Sequence, residues 1–107
     1  MKCMKNKIKF IVLAIAIASS AANANQLENC KVITKAAESI MDGRQNGTSA
    51  ADFYENIEKN AKDAQAKKIL MILVREAYKT PKFSTAEYKL NAINEFKNEC
   101  MVACMAK

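Results

Sequence analysis

The stretch that decides the fold is residues 63–79, DAQAKKILMILVREAYK, which has six consecutive apolar residues, 69–74, at its centre. Successive residues of an α-helix are rotated by about 100°, so these six positions cover the whole circumference of a helix. Such a helix has no ordinary polar side to face water. The run therefore predicts either a central helix surrounded by three others or a helix that is partly covered by another chain, with Met71 and Ile72 as candidate contacts.

Upstream of this run, two further helices are predicted. Apolar residues between 27 and 41 recur at spacings of three and four, which is typical of a helix with one buried face. This first helix is expected to continue through Arg44 and Gln45 and to end with Gly47 just beyond it. Ser49, with an acid three residues later, then predicts the start of a second helix.

Downstream of the run, Pro81 predicts a break, because proline disfavours helical geometry in the residue before it. The sequence Ser84-Thr85-Ala86-Glu87 fits a capping box with Ser84 as the N-cap, which predicts a last helix. One Pro and two Gly in 107 residues favour helices over strands and turns. We expect an all-α fold, a small four-helix bundle.

The N-terminal 24 residues have the pattern of a secretory leader. Four lysines form a basic start, residues 10–18 are apolar, and Ala22-Asn23-Ala24 fits a small-residue cleavage site. The apolar stretch of 13 residues, 10–22, is shorter than the roughly 20 that a bilayer requires. The sequence predicts a cleaved leader at 1–24, a single helical domain at 25–107, and a periplasmic or secreted protein of a Gram-negative bacterium.

The charge of the predicted mature chain excludes several partners. Of 17 Lys and Arg, four lie in the leader, whereas all 11 Asp and Glu lie downstream, so the mature charge is 13 − 11 = +2. A near-balanced chain does not predict binding to nucleic acid or to a membrane. The absence of histidine excludes His-based triads and His metal sites.

The cysteines predict one disulfide. Cys3 would leave with the leader, so Cys30, Cys100 and Cys104 would enter an oxidising compartment. Three cysteines cannot all pair with one another, so either one cysteine stays free or a second chain supplies its partner. Cys100 and Cys104 lie one helical turn apart, where a bridge between them has poor geometry, so Cys30 is expected to pair with one of the two. A bridge from Cys30 to Cys104 would close a loop of about 75 residues, worth roughly 4.5 kcal/mol in the chain-entropy model.

Short strings across residues 30–104 resemble a group of small exported proteins of Gram-negative bacteria and their mobile elements. The strings are Cys30, Ser39-Ile40-Met41, Arg44-Gln45-x-Gly47, Glu76-Ala77-Tyr78-x-x-Pro81, Ile93-x-x-Phe96 and Cys104. The resemblance implies a bridge between Cys30 and Cys104 and leaves Cys100 as a departure from the group. It implies no activity.

No combination of residues predicts catalysis. Glu95 and Glu99 lie four apart on one helix face, but solvated acids are the ordinary reason for such a pair. Cys100 and Cys104 without a second cluster fall short of the four ligands of a structural zinc site. A redox motif has two residues between its cysteines, and here there are three. We therefore expect neither an enzyme nor a cofactor.

The polar residues that are the strongest candidates for a functional contact are Arg44 and Gln45, which lie beside Gly47. Arg44 can offset the negative end of a helix dipole, or Arg44 and Gln45 can contact a partner. Small size, export and a covalent bridge favour a non-catalytic protein that binds another protein, as immunity proteins and inhibitors of envelope-directed toxins or hydrolases do. The alternative is an acid or envelope stress chaperone that exposes the 69–74 run. A homodimer is the other arrangement that would cover this run.

Overall fold

The helices expected from the sequence all form in the structure, a computed structural model that describes residues 20–106, with side chains from residue 25 onward. They are α1 (Ser20–Gln45), α2 (Ala50–Asn60), α3 (Ala64–Ala77) and α4 (Ala86–Met105). No strand occurs among these described residues. The fold is a small four-helix bundle, as predicted, and a disulfide between Cys30 and Cys104 joins α1 to α4. The predicted leader at 1–24 lies outside the described residues, except that residues 20–24 begin α1.

The corner between α1 and α2 forms as the sequence predicts. Gly47 has a φ of +99°, a left-handed conformation that glycine adopts without steric cost. The N–H of Thr48 donates to the carbonyl of Gly43 at 2.9 Å, and the N–H of Gly47 donates to that of Arg44 at 3.4 Å. These two bonds are those of a Schellman motif, which satisfies free carbonyls at the helix end. Ser49 then caps α2, because its hydroxyl accepts the N–H of Asp52 at 3.1 Å.

The predicted cap of α4 is wrong by one residue. The N-cap is Thr85, whose hydroxyl accepts the N–H of Tyr88 at 3.1 Å. Ser84 therefore lies outside the helix. With Thr85 at the cap, the third helical position is occupied by Tyr88, so Glu87 is not placed to complete a capping box.

Helices α1 and α3 each pack against two others. Helix α1 lies against α4 and α3, and α3 lies against α1 and α2. Of the two alternatives for the apolar run, a helix surrounded by three others is not what forms, since α4 lies mainly against α1. Only Leu73 and Val74 of the run are buried, whereas residues 69–72 are half-buried.

The disulfide joins the two ends of the described chain. Cys30 of α1 is bonded to Cys104 of α4, with 5.7 Å between their Cα atoms and a sequence separation of 74. The side-chain amide of Gln26 also connects the two helices, donating to the carbonyl of Cys104 at 3.0 Å. No cysteine in residues 20–106 is free, so the alternative in which one cysteine stays unpaired is not the one found there. Cys100 is buried in the core one helical turn before the bridge.

Candidate functional site

The structure brings the predicted contact residue Gln45 into the interior of the molecule. Its side chain is fully buried, and its amide nitrogen donates to the carbonyl of Pro81 at 2.8 Å. Its amide oxygen accepts the N–H of Phe83 at 2.8 Å. Both ends of the amide are therefore used to hold the connection between α3 and α4 against the end of α1. Gln45 presents no side-chain atom to a partner in this structure.

Arg44 lies beside Gln45 and holds the same corner. Its Nε donates to the carbonyl of Thr80 at 3.0 Å, and its guanidinium carbon lies 5.0 Å from the centre of the Tyr78 ring. At this distance the cation and the ring attract each other. The phenol of Tyr78 donates in turn to the carbonyl of Thr48. Arg44 is half-buried and keeps some exposed surface at the corner, so it remains a candidate contact.

The phenol of Tyr78 is perturbed by this environment. Burial raises its pKa above the ordinary value, because the phenolate loses solvation. The positive charge of Arg44 opposes that shift, and the negative charge of Asp52 adds to it. The Tyr78 ring also packs edge-to-face against Phe53 at 6.2 Å. These contacts stabilise the corner, and none of them forms a reactive arrangement.

The other two predicted contacts, Met71 and Ile72, lie at the centre of α3. Both are half-buried, and Met71 packs against the core from its edge. They lie on a different helix from Arg44 and Gln45. The four predicted contact residues thus do not form one surface, although each helix that carries them packs against the other.

A groove lies along one side of α4, where the chain that leads from α3 turns back. We call this surface the α4 groove. Its lining residues are Thr80, Phe83, Tyr88, Asn91, Ala92, Glu95 and Phe96. Its volume is about 290 Å³. Phe96 is buried in its floor, and the rings of Phe83 and Tyr88 pack edge-to-face at 6.0 Å in its wall.

Two large apolar side chains are exposed at the first turns of α4. Tyr88 and Leu90 are each 57% exposed. The bonds of Gln45 position this end of the groove, because they fix the backbone of Phe83. The groove therefore combines an aromatic wall with an exposed tyrosine on a helix whose far end is bonded covalently to α1.

The glutamates of α4 differ from those of the other helices. Each glutamate of α1, α2 and α3 forms an ion pair with a lysine. These pairs are Glu28 with Lys31, Glu38 with Lys97, Glu55 with Lys59, Glu58 with Lys67 and Glu76 with Lys79. Glu87, Glu95 and Glu99, all on α4, form no ion pair with any residue that the structure describes. One side of α4 is therefore acidic.

The groove was not predicted as a site from the sequence, in which Glu95 and Glu99 were interpreted as solvated acids. A usable signal was present, because Tyr88 and Leu90 are about 200° apart on a helix and cannot both face the same core. The contribution of Phe83 was not visible in the sequence, since it depends on where the α3–α4 connection folds back.

Among residues 20–106, no group of three or more His, Cys, Asp or Glu side chains is arranged to hold a metal ion. No helix in this part of the chain has both the length and the apolar character needed to cross a bilayer. No family model, curated protein or solved structure matches the chain.

Proposed function

We propose that this is an exported, non-catalytic binding protein that uses the α4 groove to hold another protein. The class that fits best is an immunity protein or an inhibitor directed at a toxin or hydrolase of the cell envelope. Export and removal of the leader at residues 1–24 belong to this proposal. Cleavage after Ala24 would leave residues 25–45 as α1.

The observation that carries the proposal is the exposure of Tyr88 at 57% beside an apolar groove. Tyrosine is enriched among the few interface residues that supply most of the binding energy, because its ring buries a large area and loses little conformational entropy. The groove lies on a helix fixed at one end by the disulfide and at the other by the bonds of Gln45 to the preceding connection. A rigid surface loses less entropy on binding than a mobile one, which suits an inhibitor.

The first experiment identifies the partner by photo-crosslinking. A benzophenone amino acid replaces Tyr88 in the protein produced from its full gene in the cells that naturally make it. The control carries the same group at Lys59, an exposed position on α2. We expect one protein to be crosslinked through position 88 and not through position 59. Equal labelling from both positions, or none from position 88, would contradict the proposal.

The second experiment measures the affinity for the captured protein. Tyr88→Ala is expected to weaken binding by about 30-fold, since an anchor of this kind contributes about 2 kcal/mol or more. Val32→Ala is the matched control, because Val32 is 69% exposed and lies on α1. An unchanged dissociation constant for Tyr88→Ala would show that the groove is not the binding surface. Inhibition of the captured protein's activity then tests the immunity or inhibitor role.

A second candidate function, an acid or envelope stress chaperone, draws support from the apolar run of α3. Residues 69–72 are only half-buried, and an ion pair between Glu58 and Lys67 joins α2 to α3 over this region. Acid removes negative charge from the chain and so raises its net positive charge, which favours opening of the bundle by self-repulsion. If this function holds, the protein prevents aggregation of a client near pH 3 and not at pH 7. A lack of protection at pH 3 would exclude it.

A further inference from the structure

The charge and shape of the α4 groove specify the chemistry of the partner, an inference that rests on the proposed function. We infer that the groove binds a basic amphipathic helix of the partner protein. Apolar side chains of that helix would fill the groove between Phe83 and Phe96, and its arginine or lysine residues would pair with Glu95 and Glu99.

The first argument is that the acids of this face have no partner of their own. The two lysines of α4 are engaged elsewhere. Lys89 donates to the carbonyl of Gln45, and Lys97 contacts Glu38 of α1 at 3.4 Å. They therefore do not neutralise Glu95 and Glu99, which form no ion pair within residues 20–106. A face with unpaired negative charge attracts a positively charged segment and rejects a negatively charged one.

The second argument is the position of the two carboxylates. Glu95 lines the groove, and Glu99 follows it by four residues, so the two lie about 6 Å apart along the helix axis. One carboxylate oxygen of Glu99, Oε1, is buried and has no hydrogen-bond partner. A guanidinium group can donate two parallel hydrogen bonds to a carboxylate, so an arginine of the partner would pair with the exposed Glu95, and a second would pair with Glu99 after that side chain turns outward.

The third argument is the size of the groove. Small-molecule sites are clefts of about 300–1,000 Å³ that enclose most of their ligand. The α4 groove, at about 290 Å³, is no larger than the smallest of these clefts. It suits one or two anchoring side chains of a helix that lies across α4. A helix in a groove is a recurring mode of recognition, with anchors at spacings of three, four and seven residues.

The test uses two synthetic peptides and an isotope-labelled protein. Both peptides have about 18 residues, long enough to form a helix, with leucines at spacings of three and four. One carries arginines a turn apart on the flank of the leucine face, and the other carries glutamates at the same positions. We expect the basic peptide to shift the amide signals of residues 88–99, and the acidic peptide to shift none of them.

Two double variants separate local charge from net charge. Glu95→Gln with Glu99→Gln removes the acids of the groove, and Glu28→Gln with Glu55→Gln makes the same change in net charge on α1 and α2. The first is expected to bind the basic peptide and the captured partner at least tenfold more weakly and to lose most of the salt dependence of binding. The second is expected to bind within twofold of the wild type.

Several outcomes would overturn the inference. It fails if both peptides bind alike, if the two double variants behave alike, or if the segment crosslinked to position 88 has no basic residues. It also fails if that segment belongs to a second copy of this chain. Suppose that a partner is captured at position 88 but binds the Glu95→Gln, Glu99→Gln variant as tightly as the wild type. The inference of a basic helix then fails, and the proposed binding function is retained. If the basic peptide binds as expected and no protein is captured, the proposed function fails instead.

Discussion

Among the polar side chains, Gln45 is the one whose loss we expect to lower the stability of the bundle most. It is fully buried, and its amide bonds both the carbonyl of Pro81 and the N–H of Phe83. Gln45→Met keeps a similar volume but leaves those two backbone groups without partners. Each unsatisfied group costs about 1–3 kcal/mol, so we expect the free energy of unfolding to fall by about 2–4 kcal/mol.

Urea denaturation measures this change. The control is Asn46→Ala at the next position, where the side chain is exposed and bonds only to Asp42 four residues earlier. Its effect should stay within about 0.5 kcal/mol, as is usual for surface positions. If Gln45→Met is as stable as Asn46→Ala, the amide of Gln45 does not hold the connection.

Tyr78 should make stability depend on pH in the alkaline range. Burial, assisted by Asp52 and opposed by Arg44, raises its pKa in the folded state. The folded protein therefore holds the phenolic proton more tightly than the unfolded chain, whose pKa is about 10. This contribution to stability is complete below pH 10 and is lost as the pH rises through 10 towards the folded pKa.

The measurement is the free energy of unfolding of the wild type and of Tyr78→Phe at pH 8.5 and at pH 11. We expect the decline between the two values to be smaller in Tyr78→Phe, although this variant is less stable at pH 8.5 because it lacks the bond to Thr48. Tyr88→Phe removes an exposed phenol and should keep the wild-type decline. Equal declines in all three proteins would count against the assignment to Tyr78.

At the scale of helices, Gly43 determines how closely α2 approaches α1. Helix α1 continues through Gly43 to Gln45, as the sequence predicted. A Cβ atom at position 43 would lie 2.8 Å from Cε2 of Phe53 and closer still to its Cζ. The glycine is therefore needed for contact between the helices rather than for its backbone freedom.

Gly43→Ala should consequently destabilise the protein by about 1 kcal/mol. Alanine gains about 1 kcal/mol in helix propensity over glycine, but displacing a packed aromatic ring costs about 1–3 kcal/mol. In a Phe53→Ala background the clash is absent, so Gly43→Ala should stabilise by up to about 1 kcal/mol. Urea denaturation of the four proteins gives this double-mutant cycle. Additive effects would mean that the ring moves aside without cost.

The helices differ in how far the sequence predicts them. The start of α2 and the end of α1 follow from Ser49 and Gly47, because capping depends on neighbouring residues alone. The cap of α4 was misplaced by one residue, because the capping-box pattern of Ser84 and Glu87 favoured Ser84, whereas the hydroxyl of Thr85 accepts the N–H of Tyr88. The half-buried state of residues 69–72 was not predictable, because the pattern of α3 is the same whether two or three helices cover it.

At the scale of the whole molecule, the pairing of α1 with α4 organises the fold. The expected pairing of Cys30 with Cys100 or Cys104 requires the first and last helices to lie side by side, and they do so in the structure. The α4 groove depends on the same arrangement, since α4 packs mainly on α1 and leaves a side uncovered. A groove of this kind forms where no neighbouring element covers one side of a helix. The periodicity of the sequence shows which residues are apolar but not which of them another helix covers, so the groove could not be predicted from the sequence.

The bridge between Cys30 and Cys104 should supply a large share of the stability. It closes a loop of about 75 residues, for which the chain-entropy model gives roughly 4.5 kcal/mol, and measured values for disulfides range up to about 5. We expect Cys30→Ser with Cys104→Ser to lose about 3–4.5 kcal/mol in urea denaturation. Because small domains have only about 5–15 kcal/mol in total, the variant should be folded but marginal. Equal urea midpoints for the two proteins would refute this expectation.

The same variant tests how the bridge acts. In the chain-entropy model the bridge restricts the unfolded state, so the two ends of the chain stay close before folding begins. Without it, α1 and α4 must meet across the whole described chain, and forming contacts between distant residues slows folding. Stopped-flow refolding should therefore be slower in the variant, with most of the lost stability in the folding rate. A loss confined to the unfolding rate would mean that the bridge acts within the folded state.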